Sequence, residues 1–184
     1  MDTVEEAVKV KWGIDPAHSE IAFKVKHLMI TTVTGKFAEY DCVIYTTGED
    51  IMSAEVDFWL DPASVSTGDA KRDEHLKSPD FFDVENYKQI NFTGNTIESV
   101  DKDGSYELYG DLTIKGTKRQ VKLDVEFGGV VKDPWGNEKA GLSINGKINR
   151  KDWGLNWNAA LEAGGLLVSD EVRISCEVQL VKQS

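Results

Sequence analysis

The sequence predicts an all-β protein, an antiparallel up-and-down β-barrel of about eight strands with one or two short helices covering an end. Three observations carry that expectation. Apolar and polar residues alternate with a period of two along most of the chain, as in strands that turn one face to a core and the other to water. Turn sequences separate these runs at short intervals, which makes consecutive strands antiparallel neighbours. The chain has 184 residues, 40% of them hydrophobic, which suits one domain of residues 1–184 large enough to close a sheet on itself and remove its exposed edges.

Taken in order, the elements read as follows. Residues 1–9 are a short extension in which Asp2 or Thr3 with Glu5 or Glu6 would cap a helical turn. Ile21, Phe23 and Val25 then alternate with Ala22, Lys24 and Lys26, and Ala54, Val56, Phe58 and Leu60 with Glu55, Asp57 and Trp59. Gly68 to Ser78 reads as a helix stopped by Pro79. Strand patterning resumes with Leu108, Leu112 and Ile114, then Val121, Leu123, Val125 and Phe127, then Leu142, Ile144 and Ile148. After an irregular Asn-, Ala- and Gly-rich stretch from Asn156 to Gly165, the last strand sets Val172, Ile174, Cys176, Val178 and Leu180 against Arg173, Ser175, Glu177 and Gln179. Turns fall at 47–50, 101–104, 115–117 and 132–137.

Charge and cysteine content narrow the function classes. With 21 Lys and Arg against 32 Asp and Glu, the formal charge is −11. A polyanion is held through Lys and Arg that displace its counterions, so a nucleic-acid partner is excluded, and contact with an anionic membrane leaflet should be transient at most. No apolar run approaches the roughly 18 residues of a membrane-spanning helix. The first residues carry neither a basic nor an apolar signal segment, so the chain as written is expected in the cytoplasm, or in the periplasm if a leader has been removed. Cys42 and Cys176 have no Cys-x-x-Cys spacing, and their redox state is open.

Few residues form a catalytic or metal-binding pattern. His18, His27 and His75 lie in different elements with no short ligand spacing, so neither a metal nor any other cofactor is expected. Asp15, His18 and Ser19 contain triad residue types without a nucleophile elbow. Asp101-x-Asp103-Gly104 resembles the start of a calcium loop, but Leu112 stands where a bidentate Glu is needed, and a hairpin turn explains it better. The sequon Asn91-Phe92-Thr93 falls inside a predicted strand. Trp59 shares parity with Glu55 and Asp57, which puts a large apolar ring on the outer face, either wet or covered by a helix or by a second subunit in a homodimer.

Five stretches together resemble the YceI family of lipocalin-like, polyisoprenoid-binding proteins. They are Asp15-Pro16-Ala17-His18-Ser19 followed by Phe23, Val25 and His27; Gly35-Lys36-Phe37; Arg72-Asp73-Glu74-His75-Leu76 running into Ser78-Pro79-Asp80-Phe81-Phe82; Gly110 to Gly116; and Arg150-Lys151-Asp152-Trp153-Gly154. The resemblance implies a barrel whose interior takes an amphiphile with a long apolar tail, such as a polyisoprenoid, an isoprenoid quinone or a fatty amide, and it brings no catalytic residue. On that basis the expected lumen lining is Phe23, Val25, Val56, Phe58, Phe92, Leu112, Leu123, Val125 and Ile144, with His27, Arg72 and Asp152 as polar candidates for a head group. Arg72 and Asp73 serve equally to anchor the helix on the barrel. The alternative is an enzyme acting on a small hydrophobic substrate in the cavity, with His27 or His75 as acid or base.

Overall fold

The structure is a computed structural model that describes residues 9–28, 30–48, 50–158 and 167–183. Its strands are β1 (Lys9–Ile14), β2 (Glu20–His27), β3 (Thr31–Phe37), β4 (Tyr40–Thr47), β5 (Asp50–Leu60), β6 (Val65–Ser66), β7 (Ile90–Ser99), β8 (Ser105–Ile114), β9 (Thr117–Lys132), β10 (Glu138–Asn149) and β11 (Glu171–Lys182), and the helix α1 is Ala70–Lys77. All pairings between these strands are antiparallel. The ring β1-β4-β5-β7-β8-β9-β10-β11 closes through β1–β11 pairing, which gives the eight-stranded barrel, and β2, β3 and β6 continue from β11 as an extension of the wall. The helical turn read into the N-terminal extension lies outside the described residues.

One edge of β11 therefore serves two partners. Arg173 to Glu177 pair with β2, and Leu180 to Lys182 pair with β1. The changeover is built by Asp15-Pro16-Ala17-His18-Ser19. Asp15 caps a 3-10 turn over Pro16–His18 by accepting the Ala17 N–H, and it meets His18 Nδ1 at 2.8 Å. Its own N–H donates to the Gln179 carbonyl, while Ser19 Oγ accepts from the Gln179 N–H at 3.0 Å. The triad-like trio is thus a kink that splits one long strand into β1 and β2. Asp61-Pro62-Ala63-Ser64 repeats the device after β5, with Asp61 accepting from the Ala63 N–H.

The helix is slightly shorter than the Gly68–Ser78 segment predicted, because Gly68 takes a positive φ of 84° and Asp69 serves as N-cap. A ring cluster docks the segment after it on the wall. Phe82 packs edge-on against Phe23 and Phe37, with centroids 6.5 and 5.9 Å away. Phe23 lies over Gly35 on the neighbouring strand, where any Cβ would overlap its ring. At the other corner of this end, Trp153 is buried and donates from Nε1 to the Leu112 carbonyl at 2.9 Å. The 101–104 segment is the β7–β8 turn, held by Asp101 accepting from the Asp103 and Ser105 N–H groups. Trp59 stands on the outer face, 36% exposed. The irregular stretch from Asn156 is described as far as Asn158 and has no regular structure there.

Candidate functional site

The inward-facing residues do not fill the barrel. They surround one cavity of about 670 Å³, well within the range of roughly 300–1,000 Å³ usual for small-molecule sites. The wall is made by alternation. On β5, Ala54, Val56, Phe58 and Leu60 face in; on β9, Val121, Leu123, Val125 and Phe127 do the same; and β11 contributes Val172, Ile174, Cys176, Val178 and Leu180. Phe92 reaches across Gly110, where a Cβ would come within 2.6 Å of its ring. Small residues on the inner parity therefore leave room for the large rings that narrow the lumen.

The two ends differ chemically. At the end where β1 meets β11, Trp12 is buried and donates from Nε1 to Thr46 Oγ1, which in turn donates to the Gly48 carbonyl. That end offers an apolar floor whose polar atoms are already paired. At the α1 end stand Lys26, His27, Thr67, Asp69, Lys71, Arg72, His75 and Arg150. Lys26, Asp69 and Lys71 are the only lining residues among those described that are exposed, which places the mouth beside them.

Each polar group at the mouth has a local reason for its position. Thr67 is held from two sides. Asp73 accepts from its N–H and hydroxyl, and Arg72 donates from Nε to Thr67 Oγ1 at 2.7 Å and from Nη2 to the Thr67 carbonyl at 2.8 Å. Asp69 accepts from the Arg72 and Lys71 N–H groups, which hold its carboxyl below the ordinary range. His75 meets Asp80 through Nε2 at 3.0 Å and stands edge-on to Trp157 and Phe81, with centroids 4.4 and 5.1 Å away. His27 has no side-chain hydrogen bond among the described residues.

Eleven of the twelve residues expected at the site line this cavity: Phe23, Val25, His27, Val56, Phe58, Arg72, Phe92, Leu112, Leu123, Val125 and Ile144. Asp152 does not. It is exposed on the 3-10 turn Arg150–Trp153, outside the lumen, and the residue of that motif that does enter is Arg150. Arg150 is 3% exposed and donates to the carbonyls of Ser169, Leu155, Trp157 and Val168. Burial pushes the pKa of its guanidinium down, with Asp170 opposing. Continuing the inward parity of Ile144 and Ile148 by two residues reaches Arg150, so the signal for it was present in the alternation.

Cys42 and Cys176 both line the lumen as free thiols. Burial pushes them up to about 12 and about 11. The folded protein keeps both protons well above the pH of roughly 8.5 at which exposed thiols ionise. Their contribution to stability is complete below that pH and is lost as pH rises towards 11–12. The urea midpoint should therefore fall more steeply between about pH 8.5 and 10.5 in the native protein than in a Cys42→Ala/Cys176→Ala variant; equal slopes would contradict this.

Among the described residues no group of three or more His, Cys, Asp or Glu side chains could hold a metal ion. No described helix is long and apolar enough to cross a membrane. The fold and cavity together define a closed antiparallel barrel built around an apolar lumen with charged groups at one end. The chain belongs to the YceI-like domain family, whose model matches residues 12–180. It is 36% identical over 170 residues to a UPF0312 protein of Staphylococcus epidermidis (strain RP62A), covering 92% of this chain and 96% of that one. A UPF0312 protein of Staphylococcus aureus (strain MSSA476) is 35% identical over 166 residues, covering 90% and 94%. Among solved structures, the YceI protein of Campylobacter jejuni superposes with a TM-score of 0.73 at 35% identity, covering 92% and 96%. A polyisoprenoid binding domain from Saccharophagus degradans shares the fold with a TM-score of 0.61 at 16% identity, covering 92% and 97%.

Proposed function

We propose that the protein binds one long-chain amphiphile, tail in the lumen and head at the mouth beside α1, and stores or carries it without changing it chemically. The observation that carries this reading is the apolar cavity of about 670 Å³ with its exposed lining residues gathered at one end. The energetics suit a long tail. Each buried CH₂ contributes about 0.8 kcal/mol, whereas association costs roughly 4–15 kcal/mol, so useful affinity requires about ten or more carbons. A polyisoprenoid, an isoprenoid quinone and a fatty amide all meet that requirement, and the fold shared with a polyisoprenoid binding domain supports the choice. Because such tails are insoluble, membrane contact on this reading is brief and belongs to loading and release. Trp59 stands on the outer face, so a homodimer through it would leave the lumen unaltered.

Organic extraction of purified protein followed by mass spectrometry should recover an apolar molecule in near 1:1 ratio, and emptied protein should take up added prenol or quinone. His27→Ala and His75→Ala variants should still bind. An empty barrel that refuses both additives would overturn the reading. Recovery of an added ligand in chemically altered form, lost in either histidine variant, would replace it with the enzymatic one.

A further inference from the structure

We infer that the mouth selects an amphiphile whose head is an anion presenting only acceptor oxygens, a carboxylate or a phosphate. The inference rests on the lumen reading above and adds the chemistry of the head. It comes from counting which charges and donors at the mouth are already engaged.

The charged lining residues are Lys26, Lys71, Arg72, Arg150 and Asp69, with no lining glutamate among the described residues. Arg150 is spent, since carbonyls take four of its five N–H donors. Arg72 is different. Thr67 fixes its Nε and one Nη2 proton and so orients the guanidinium, while Nη1 has no partner among the described residues. Its neighbour Asp73 makes no direct ion pair with it, and Asp73 Oδ1 accepts from the Thr67 N–H and hydroxyl. No described carboxylate lies within ion-pair distance of Arg72, Lys71 or Lys26, although ion pairs bind lysines elsewhere on the surface. The single acid among the described lining residues, Asp69, has its Oδ1 engaged in capping α1.

Among the described lining residues three uncommitted cations therefore face one carboxylate, on a protein whose formal charge is −11. The sign of these residues is opposite to that of the whole. A neutral carbonyl or hydroxyl head would accept a hydrogen bond there and leave the positive excess uncompensated. An anionic head accepts the free Nη1 donors and cancels charge at once, and hydrogen bonds to an ionised acceptor are about twice as strong as neutral ones. The half-buried Arg72 is the docking group, positioned for a two-oxygen acceptor. Lys26 and Lys71, exposed and flexible, supply attraction that salt should weaken.

The test uses one tail with three heads. Hexadecanoic acid, hexadecyl phosphate and hexadecanol displace a fluorescent apolar probe from the emptied full-length protein at low salt. At least one of the two anions should bind about tenfold or more tightly than the alcohol, a ratio that shrinks with added salt. Which anion leads separates a fatty-acid source from a phosphorylated one. In a Lys26→Glu/Lys71→Glu variant, which leaves the Thr67 cluster intact, the anion-to-alcohol ratio should fall to about two or below, and Arg72→Gln should lower it as well. Equal affinities for all three heads would overturn the anionic mouth and leave the lumen reading standing. Displacement by none of them would count against the lumen itself.

Discussion

Val56→Phe is expected to cost the protein more than 100-fold in affinity for a long tail while leaving its unfolding free energy within about 1 kcal/mol of the native value. Val56 sits midway along β5, opposite Ile44 on β4 and Gly94 on β7, with its side chain in the lumen. An eight-stranded barrel has room inside for one small ligand, so a ring set across it blocks the path. Losing the depth beyond this point, about four methylenes at roughly 0.8 kcal/mol each, gives the stated factor. The same ring would fill empty lumen between Ile44 and Gly94, the cross-strand neighbours of this position, so packing gained offsets strain. Titration of a tail series and urea unfolding check the two halves. Unchanged affinity for tails of every length would show that no ligand passes Val56.

Arg150→Met should have the opposite profile, unfolding the protein more easily by about 3–5 kcal/mol. For a chain of this size each kcal/mol lowers Tm by about 2–4 °C, so a drop near 10 °C is expected by calorimetry. The cause is local. Arg150 ties the end of β10 to residues 155–157 and 168–169, and without it the carbonyls of Ser169, Leu155 and Trp157 lose a donor, while that of Val168 keeps Asn158 Nδ2 at 2.7 Å. Asp170 Oδ1, already buried without a hydrogen bond and 3.8 Å from Nη2, would lose one of its two countercharges among the described residues, the other being the Lys151 ammonium. Arg150→Lys should recover little, because one ammonium cannot span a fork of four acceptors. A loss below about 1 kcal/mol for Arg150→Met would refute the clamp.

How far the sequence carried the reading depended on periodicity. Within strands, a two-residue repeat forces the side chains of Phe23, Val25, Leu123, Val125 and Ile144 to one face, and closing the sheet turns that face inward. Where strands end the rule loses force. Asp152 follows Arg150 into a 3-10 turn, whose three residues per turn carry it round to solvent, so Arg150 and not Asp152 is the member of the motif that reaches the lumen. Lys26 fails in the other direction: its parity points outward, but at the rim of a barrel an outward side chain also borders the opening. The split of one strand by Asp15 to Ser19, and its echo at Asp61 to Ser64, depend on hydrogen bonds to Gln179 and to Glu39, which no local pattern reveals. The formal charge of −11 carries no information about the mouth, since a sum over the chain has no address.

The shared edge of β11 has a consequence for how the chain reaches this state. Trp12 pairs with Lys182, so the contact that closes the ring joins residues from opposite ends of the sequence. Closing so long a loop costs entropy before any contact rewards it, which makes such pairings late and slow. Until β11 is synthesised and docked, β10 on one side and β1 with β2 on the other present open edges, and no enclosed lumen exists. A nascent chain therefore has nothing to load, and a ribosome stalled short of residue 171 holds a curled sheet prone to pair with other strands.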